Sequence, residues 1–264
     1  LIKQITERSK TRRSYPGKLM GLSGYGTVKE KMLPHLRQFF ITRDGKISDM
    51  IEGGNYYQGT GGENFAATIQ KTLEDILFEE LDKYDTQIPL VVTGGCALNV
   101  IINEKIKNKY KREVYIPPNP HDGGLSLGHM FFYQKPKERV DVTYNGLPLL
   151  DRDKLKDYNT KKVTKKDIAR LLKDGKIIGL IYGDSEVGPR ALGNRSIVCD
   201  PSIPEMKDIL NSKVKYRESY RPFAPFCKKE DAYKYFESRD FENMEYMSFA
   251  VKVMVDNLPS ITHV

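Results

Sequence analysis

Arginine presents a planar fork of donors that matches phosphate or carboxylate oxygens in pairs. In "GDSEVGPRALGNRSIVCDP" (183–201), Arg190 and Arg195 stand five residues apart on either side of Gly193, with Asn194 adjacent. Asn194 can both donate and accept, which suits an amide-type group. Neither a helical period nor a strand alternation accounts for the segment. Downstream, "NSKVKYRESYRPFAPF" adds Lys213, Lys215, Arg217 and Arg221. Were residues 213–217 extended, Lys213, Lys215 and Arg217 would share one face. A solvated basic face explains this as well, but the stiff "RPFAPF" would hold Arg221 in place. Together these residues suggest an electropositive pocket that binds and polarises a phosphorylated compound.

A second set lies upstream. Gly94 and Gly95 close the apolar run "IPLVVTGG" and precede "CALNVIINEKIKNKY". Two glycines between a strand and a helix either form a plain tight turn or leave the first helical N–H groups open to a phosphate. "PPNPHDGG" occupies the equivalent position after the next strand, and Asp122 is its one carboxylate. A carboxylate facing phosphate ordinarily does so through a metal ion, whereas an isolated Asp-Gly turn needs no ligand. Ser185 and Ser196 have no histidine nearby in sequence, so a Ser-His hydrolase is unsupported. Cys96, Cys199 and Cys227 form no metal or redox spacing and read as small, partly buried thiols of a reducing cytoplasm.

These residues need a scaffold. Residues 63–84 carry apolar side chains at helical spacing, predicting a long amphipathic helix. The order "IPLVV", "CALNVIINEKIKNKY", "REVYIPP", "LSLGHMFFYQ" predicts strand, helix, strand, helix, an α/β unit with a largely parallel sheet whose ligands bind at the loops after the strands. "SYPGKLMGLSGYGTV" reads as a glycine-rich loop, and "FFITRDGKISDMIEGG" as a hairpin about its Asp-Gly. Residues 141–163 lose periodicity and gain charge, so they read as a linker between a unit at 1–140 and another at 164–264. The second opens with a helix capped by Thr164 and Asp167 and closed by Gly175, then a strand, "KIIGLIY", that feeds the 183–201 segment.

The 264 residues suffice for two hydrophobic cores, and 39% hydrophobic with 30% charged content is a globular profile. No apolar run approaches the roughly 18 residues that span a bilayer, and no membrane partner is expected. The net charge of +8 raises nucleic-acid binding, but the basic residues are interspersed with acidic ones and no nucleic-acid motif is present.

"GPRALGNRSIVCDP" with "NSKVKYRESYRPFAPF" closely resembles the C-terminal domain of the NodU/CmcH-type O-carbamoyltransferases. "GKLMGLSGYG", "TGGCALNV" and "PPNPHDGGLSLGHM" resemble the later part of that family's N-terminal domain. The resemblance implies a partial actin/Hsp70-like (Kae1-like) ATPase-type lobe at 1–140 and a YrdC-like α/β domain at 164–264. It implies ATP and carbamoyl phosphate as substrates, a carbamoyl-adenylate intermediate and a small hydroxyl-bearing acceptor. It assigns Gly94, Gly95 and Asn99 to the nucleotide and Asp122 to a divalent metal, iron in the family. Arg190, Asn194, Arg195, Lys215, Arg217 and Arg221 fall to the catalytic pocket. The family's histidine pair is absent and the chain stops at "ITHV", so a piece of a longer protein with an incomplete metal site is expected. A threonylcarbamoylation or hydrogenase-maturation relative, or a non-catalytic nucleotide-binding protein, is the alternative.

Overall fold

In the computed structural model, residues 15–42, 61–84, 87–138, 140–151, 153–238, 241 and 243–263 are described. The longest element is α3, Gly62–Leu81. Its apolar stripe packs against α1 (Tyr15–Ser23) and α2 (Leu33–Thr42). Leu22 of α1 and Ala66 of α3 form a small core with Leu19 and Tyr220.

The presence of α1 corrects the loop expected from its glycines. Pro16 is tolerated in a first helical turn, and tertiary packing overrides weak propensity. A Cβ at Gly21 would already sit 3.8 Å from the rings of Tyr220 and Pro222, so a small residue lets the 220–222 segment approach. The expected hairpin is corrected in part: Phe39–Thr42 are the last turn of α2, which buries Leu36 and is tied to α3 by an Arg37–Glu79 ion pair. Residues 43–54 of that hairpin lie outside the described residues.

The α/β rhythm of the first half is present. Strands β1 (Leu90–Val91) and β2 (Val114–Tyr115) pair in parallel, Leu90 opposite Val114, with α4 (Val100–Tyr110) between them in the chain. The predicted helix at 96–110 is divided, because Gly95–Leu98 forms a 3-10 turn and Asn99 then caps α4. Ala97, Ile102, Ile106, Tyr110, Val114 and Ile116 make the main core, covered by Leu73 and Leu77 of α3 and, from far along the chain, Phe249. Helix α5, Leu125–Gln134, follows as predicted, but none of its residues is buried.

Thr164 and Asp167 form the expected capping box of α6, Lys165–Lys173, and Gly175 ends it at φ +75°. The following β3 (Ile178–Ile181) pairs antiparallel with β4 (Arg195–Val198), making residues 182–194 the loop of a hairpin. A short helix α7, Met206–Ile209, runs into a wider π-helical turn at Leu210–Val214. Strands β5 (Phe236–Glu237) and β6 (Lys252–Val253) pair beside a third core of Ala232, Phe236 and Phe241. The whole is mixed helix and sheet, consistent with α/β. Cys96 and Cys227 are exposed, which corrects the expectation of partly buried thiols for those two. Among the described residues, no helix is long and apolar enough to cross a membrane.

Candidate active site

The 182–194 loop is built around one carboxylate. The Glu186 side chain is 0% exposed. Its Oε1 accepts from the backbone N–H of Leu192 at 2.8 Å, Asn194 at 2.7 Å and Arg195 at 3.1 Å. Its Oε2 accepts from Arg195 Nε at 2.8 Å. Burial pushes the Glu186 carboxyl up, but the Arg195 hydrogen bond and the backbone donors outweigh it and bring it to about 2. The Asn194 amide donates to Asp184 O at 2.7 Å, and Tyr182 N–H donates to Asn194 O at 3.0 Å, closing the neck of the loop.

Residues 143–149, at the start of the expected linker, strap this loop. Gly146 N–H donates to Ser185 O, Ser185 N–H to Leu147 O, Leu149 N–H to Gly183 O, and Val187 N–H to Thr143 O, all between 2.8 and 3.2 Å. The Tyr144 hydroxyl donates to Leu192 O at 3.1 Å. Burial, then the nearby Glu186 charge, pushes that phenol up.

Three sequence motifs far apart in the chain converge beside the loop. A cleft is lined by Ala97 and Leu98 of the "TGGCALN" turn, Pro118 and Pro120 of "PPNPHDGG", and Pro189 and Arg190 of "GPRALGN", with the 246–248 segment completing it. The approach depends on Gly188, which adopts φ +129° and whose Cβ, if present, would lie 2.4 Å from Pro118 O. No side chain fits there. Gly94 N–H donates to Pro120 O at 2.7 Å, locking the two upstream loops together. Nothing lies within 4 Å of the Cβ positions of Gly94 and Gly95, and both residues are exposed.

Arg190 is half-buried in this cleft, and among the described residues no hydrogen bond or ion pair engages its guanidinium. Burial pushes its pKa down, yet an arginine stays cationic at physiological pH. A desolvated and uncompensated charge favours an anionic ligand strongly. Arg195 differs: Glu186 neutralises it, and it is left with a half-exposed outer edge.

The remaining basic residues form a separate turn. Asn211, buried, accepts from Arg217 Nε at 2.6 Å and donates to Ser219 O and Arg221 O at 3.1 and 3.0 Å. The Arg217 guanidinium lies over the Phe223 ring, 4.5 Å from its centroid. Arg221 faces Glu218 at 3.7 Å, and Glu218 pairs with Lys18 of α1 at 2.5 Å. Lys215 is exposed. The extended 213–217 run is corrected: Lys213 and Val214 belong to the π-helical turn and Tyr216 takes φ +48°, so Lys213, Lys215 and Arg217 do not share a strand face. Burial of Asn211 beneath the turn is what winds it.

Asn99 is engaged in structure. Its Oδ1 caps α4 by accepting from Ile102 N–H at 3.1 Å, and its amide donates to Gln70 of α3 at 2.8 Å. Asp122 is exposed at the start of the 3-10 turn Asp122–Gly124. Next to it, His121 Nδ1 accepts from Gly123 N–H at 2.9 Å. Among the described residues, no three His, Cys, Asp or Glu side chains are placed to hold a metal ion. Asp122 with these neighbours is therefore not a metal site by itself.

Sequence reasoning did not single out Glu186 and Asn211, whose roles come from the backbone groups they satisfy. It also passed over Asn119, whose Oδ1 is buried without a partner in the "PPNPHDGG" loop.

Comparison with known proteins follows the same residues. Residues 45–130 match the family model described as carbamoyltransferase N-terminus, and residues 169–264 match carbamoyltransferase C-terminus. The nodulation protein NolO of Bradyrhizobium diazoefficiens is 34% identical over 75% of this chain and 41% of its own length. Nodulation protein U of the same organism is 29% identical over 94% of this chain and 49% of its own. An uncharacterized protein of Methanocaldococcus jannaschii is 35% identical over 96% of this chain and 48% of its own. The chain thus spans less than half the length of each of these relatives. The two family models fall on the two groups of loops that enclose the cleft, and the chain belongs to the NodU-type carbamoyltransferase family.

Proposed function

We propose that this chain works as part of an O-carbamoyltransferase that uses ATP and carbamoyl phosphate to carbamoylate a hydroxyl group. The observation that carries the reading is Arg190, an unpaired guanidinium in a cleft walled by the three loops of the family's two matched regions. Carbamoyl phosphate loses its phosphate to water, the resulting carbamate displaces pyrophosphate from the α-phosphorus of ATP, and the acceptor hydroxyl then displaces AMP. Each step moves negative charge between phosphoryl oxygens, and a preorganised cation stabilises that charge without reorganising solvent. Arg190 receives a phosphoryl group, and the outer edge of Arg195 a second oxygen. Asn194 faces the carbamoyl unit, and the Lys215, Arg217 and Arg221 turn carries the polyphosphate. The exposed turn at Gly94 and Gly95, where nothing lies within 4 Å of either Cβ position, suits close approach of nucleotide. Asn99 holds the helix beneath it. A divalent metal of the kind the family uses would supply Lewis-acid activation, with Asp122 as one of its ligands.

Carbamoyl-phosphate-dependent exchange of labelled pyrophosphate into ATP by the intact protein tests the reading. Arg190→Ala is expected to slow the exchange on the order of 100-fold. Exchange that ignores carbamoyl phosphate, or an unchanged rate in Arg190→Ala, would overturn it.

A further inference from the structure

The Glu186 carboxylate divides its two oxygens between two tasks. Oε1 gathers the backbone N–H groups of Leu192, Asn194 and Arg195, and Oε2 takes only Arg195 Nε. One terminal nitrogen of Arg195 also reaches the Glu186 backbone oxygen at 3.4 Å. The inner edge of the guanidinium is therefore occupied, while the rest of the fork, on a side chain 45% exposed, points outward with its remaining donors free. An arginine held this way has lost its rotamer freedom before any ligand arrives, and its net charge is cancelled by its partner. It serves as an oriented pair of donors, whereas Arg190, five residues earlier in the chain, keeps an uncompensated charge.

We propose that Glu186 is the positioning residue of the anion site, fixing the direction in which Arg195 presents its free guanidinium edge to a phosphoryl group. The proposal rests on the reading that Arg190 and Arg195 bind phosphorylated substrate. Glu186 itself touches no ligand and acts through Arg195.

The two tasks of the carboxylate can be separated. In Glu186→Gln the amide oxygen can still gather the backbone N–H groups, but an NH₂ then faces Arg195 Nε and the guanidinium is released. ATP affinity, measured by calorimetry on the intact protein, is expected to fall about 10-fold in Glu186→Gln and about 10-fold in Arg195→Ala. In the double variant it is expected to fall by no more than in either single one, because Glu186 has nothing left to position. A residue that merely stabilised the fold would lower affinity independently of Arg195, and an additive loss of about 100-fold overturns the proposal. Arg195→Lys, which leaves Glu186 and its backbone clamp intact, supplies a second arm should Glu186→Gln fail to fold. A lysine keeps the charge without the fork, so affinity is expected to drop as in Arg195→Ala; ATP binding at the wild-type level with Lys would also overturn the proposal. Failure of the underlying reading looks different: wild-type protein would bind no ATP, or Arg190→Ala would bind it unchanged, and the positioning role would fall with it.

Discussion

A carboxylate with no exposed surface must be ionised to accept from four donors, so the loop around Glu186 carries its own sensitivity to acid. Its folded-state value of about 2 lies below the ordinary 4.5. The stabilisation is therefore complete above roughly pH 5 and lost as pH falls through about 2, amounting to roughly 3 kcal/mol. The stability gap between wild type and Glu186→Gln is expected to be widest near neutrality and to close toward pH 2, as read from urea midpoints. A gap that stayed constant down to pH 2 would mean that the carboxylate is not the titrating group. The arginines and glycines of this loop were legible in sequence because their chemistry is intrinsic to their types. Glu186 was not, because its role is set by three backbone N–H groups whose direction depends on the turn it helps to form.

Elements closed by short-range contacts could be read from sequence, and those closed by distant ones could not. The α6 cap needs only Thr164 and Asp167: Asp167 N–H donates to Thr164 Oγ1 at 3.2 Å, and Thr164 N–H donates back to the Asp167 carboxylate at 2.8 Å. Since α6 buries none of its residues, the cap is a large part of what holds its first turn. Thr164→Ala is expected to cost about 1 kcal/mol and to speed amide exchange in α6 about 5-fold, with β3 unaffected. Equal acceleration in both elements would show that α6 has no local opening of its own. Helix α1 illustrates the opposite case. Its glycines argue for a loop, while Lys18 pairs with Glu218 and Gly21 sits against Tyr220, contacts made 200 and 199 residues away. The basic turn at 210–221 was misread for the same reason, since burial of Asn211 cannot be seen in its local sequence.

At the scale of the molecule, the two family-matched regions are joined by backbone fit as much as by side chains. Gly188 lies against Pro118 O, Asn103 Nδ2 donates to Ser248 O at 2.8 Å, Ala250 N–H donates to Val100 O at 3.2 Å, and Phe249 packs on the main core. Gly188→Ala would place a methyl group 2.4 Å from Pro118 O in a backbone region that L-residues avoid. A loss of roughly 2 kcal/mol or more is expected, together with weakened ATP binding as the cleft is pried open. Gly17→Ala is the matched control, because nothing lies within 4 Å of its Cβ and the position is helical. It is expected to be neutral or slightly stabilising in thermal unfolding. Similar melting temperatures for the two variants would show that the loops do not need to meet. The sequence located each wall of the cleft, but not that residues 246–250 return to complete it.

The strap at 143–149 has a bearing on how the chain can be divided. Residues 153–164 are exposed throughout, and they look like the natural place to sever one half from the other. A cut there would leave residues 143–149 attached by backbone hydrogen bonds to a loop from which they had been covalently parted. The C-terminal half produced alone from Thr164 would lose the partners of Gly183, Ser185 and Val187 and the tyrosine that covers Leu192. An autonomous unit bearing the arginine loop must begin upstream of Thr143.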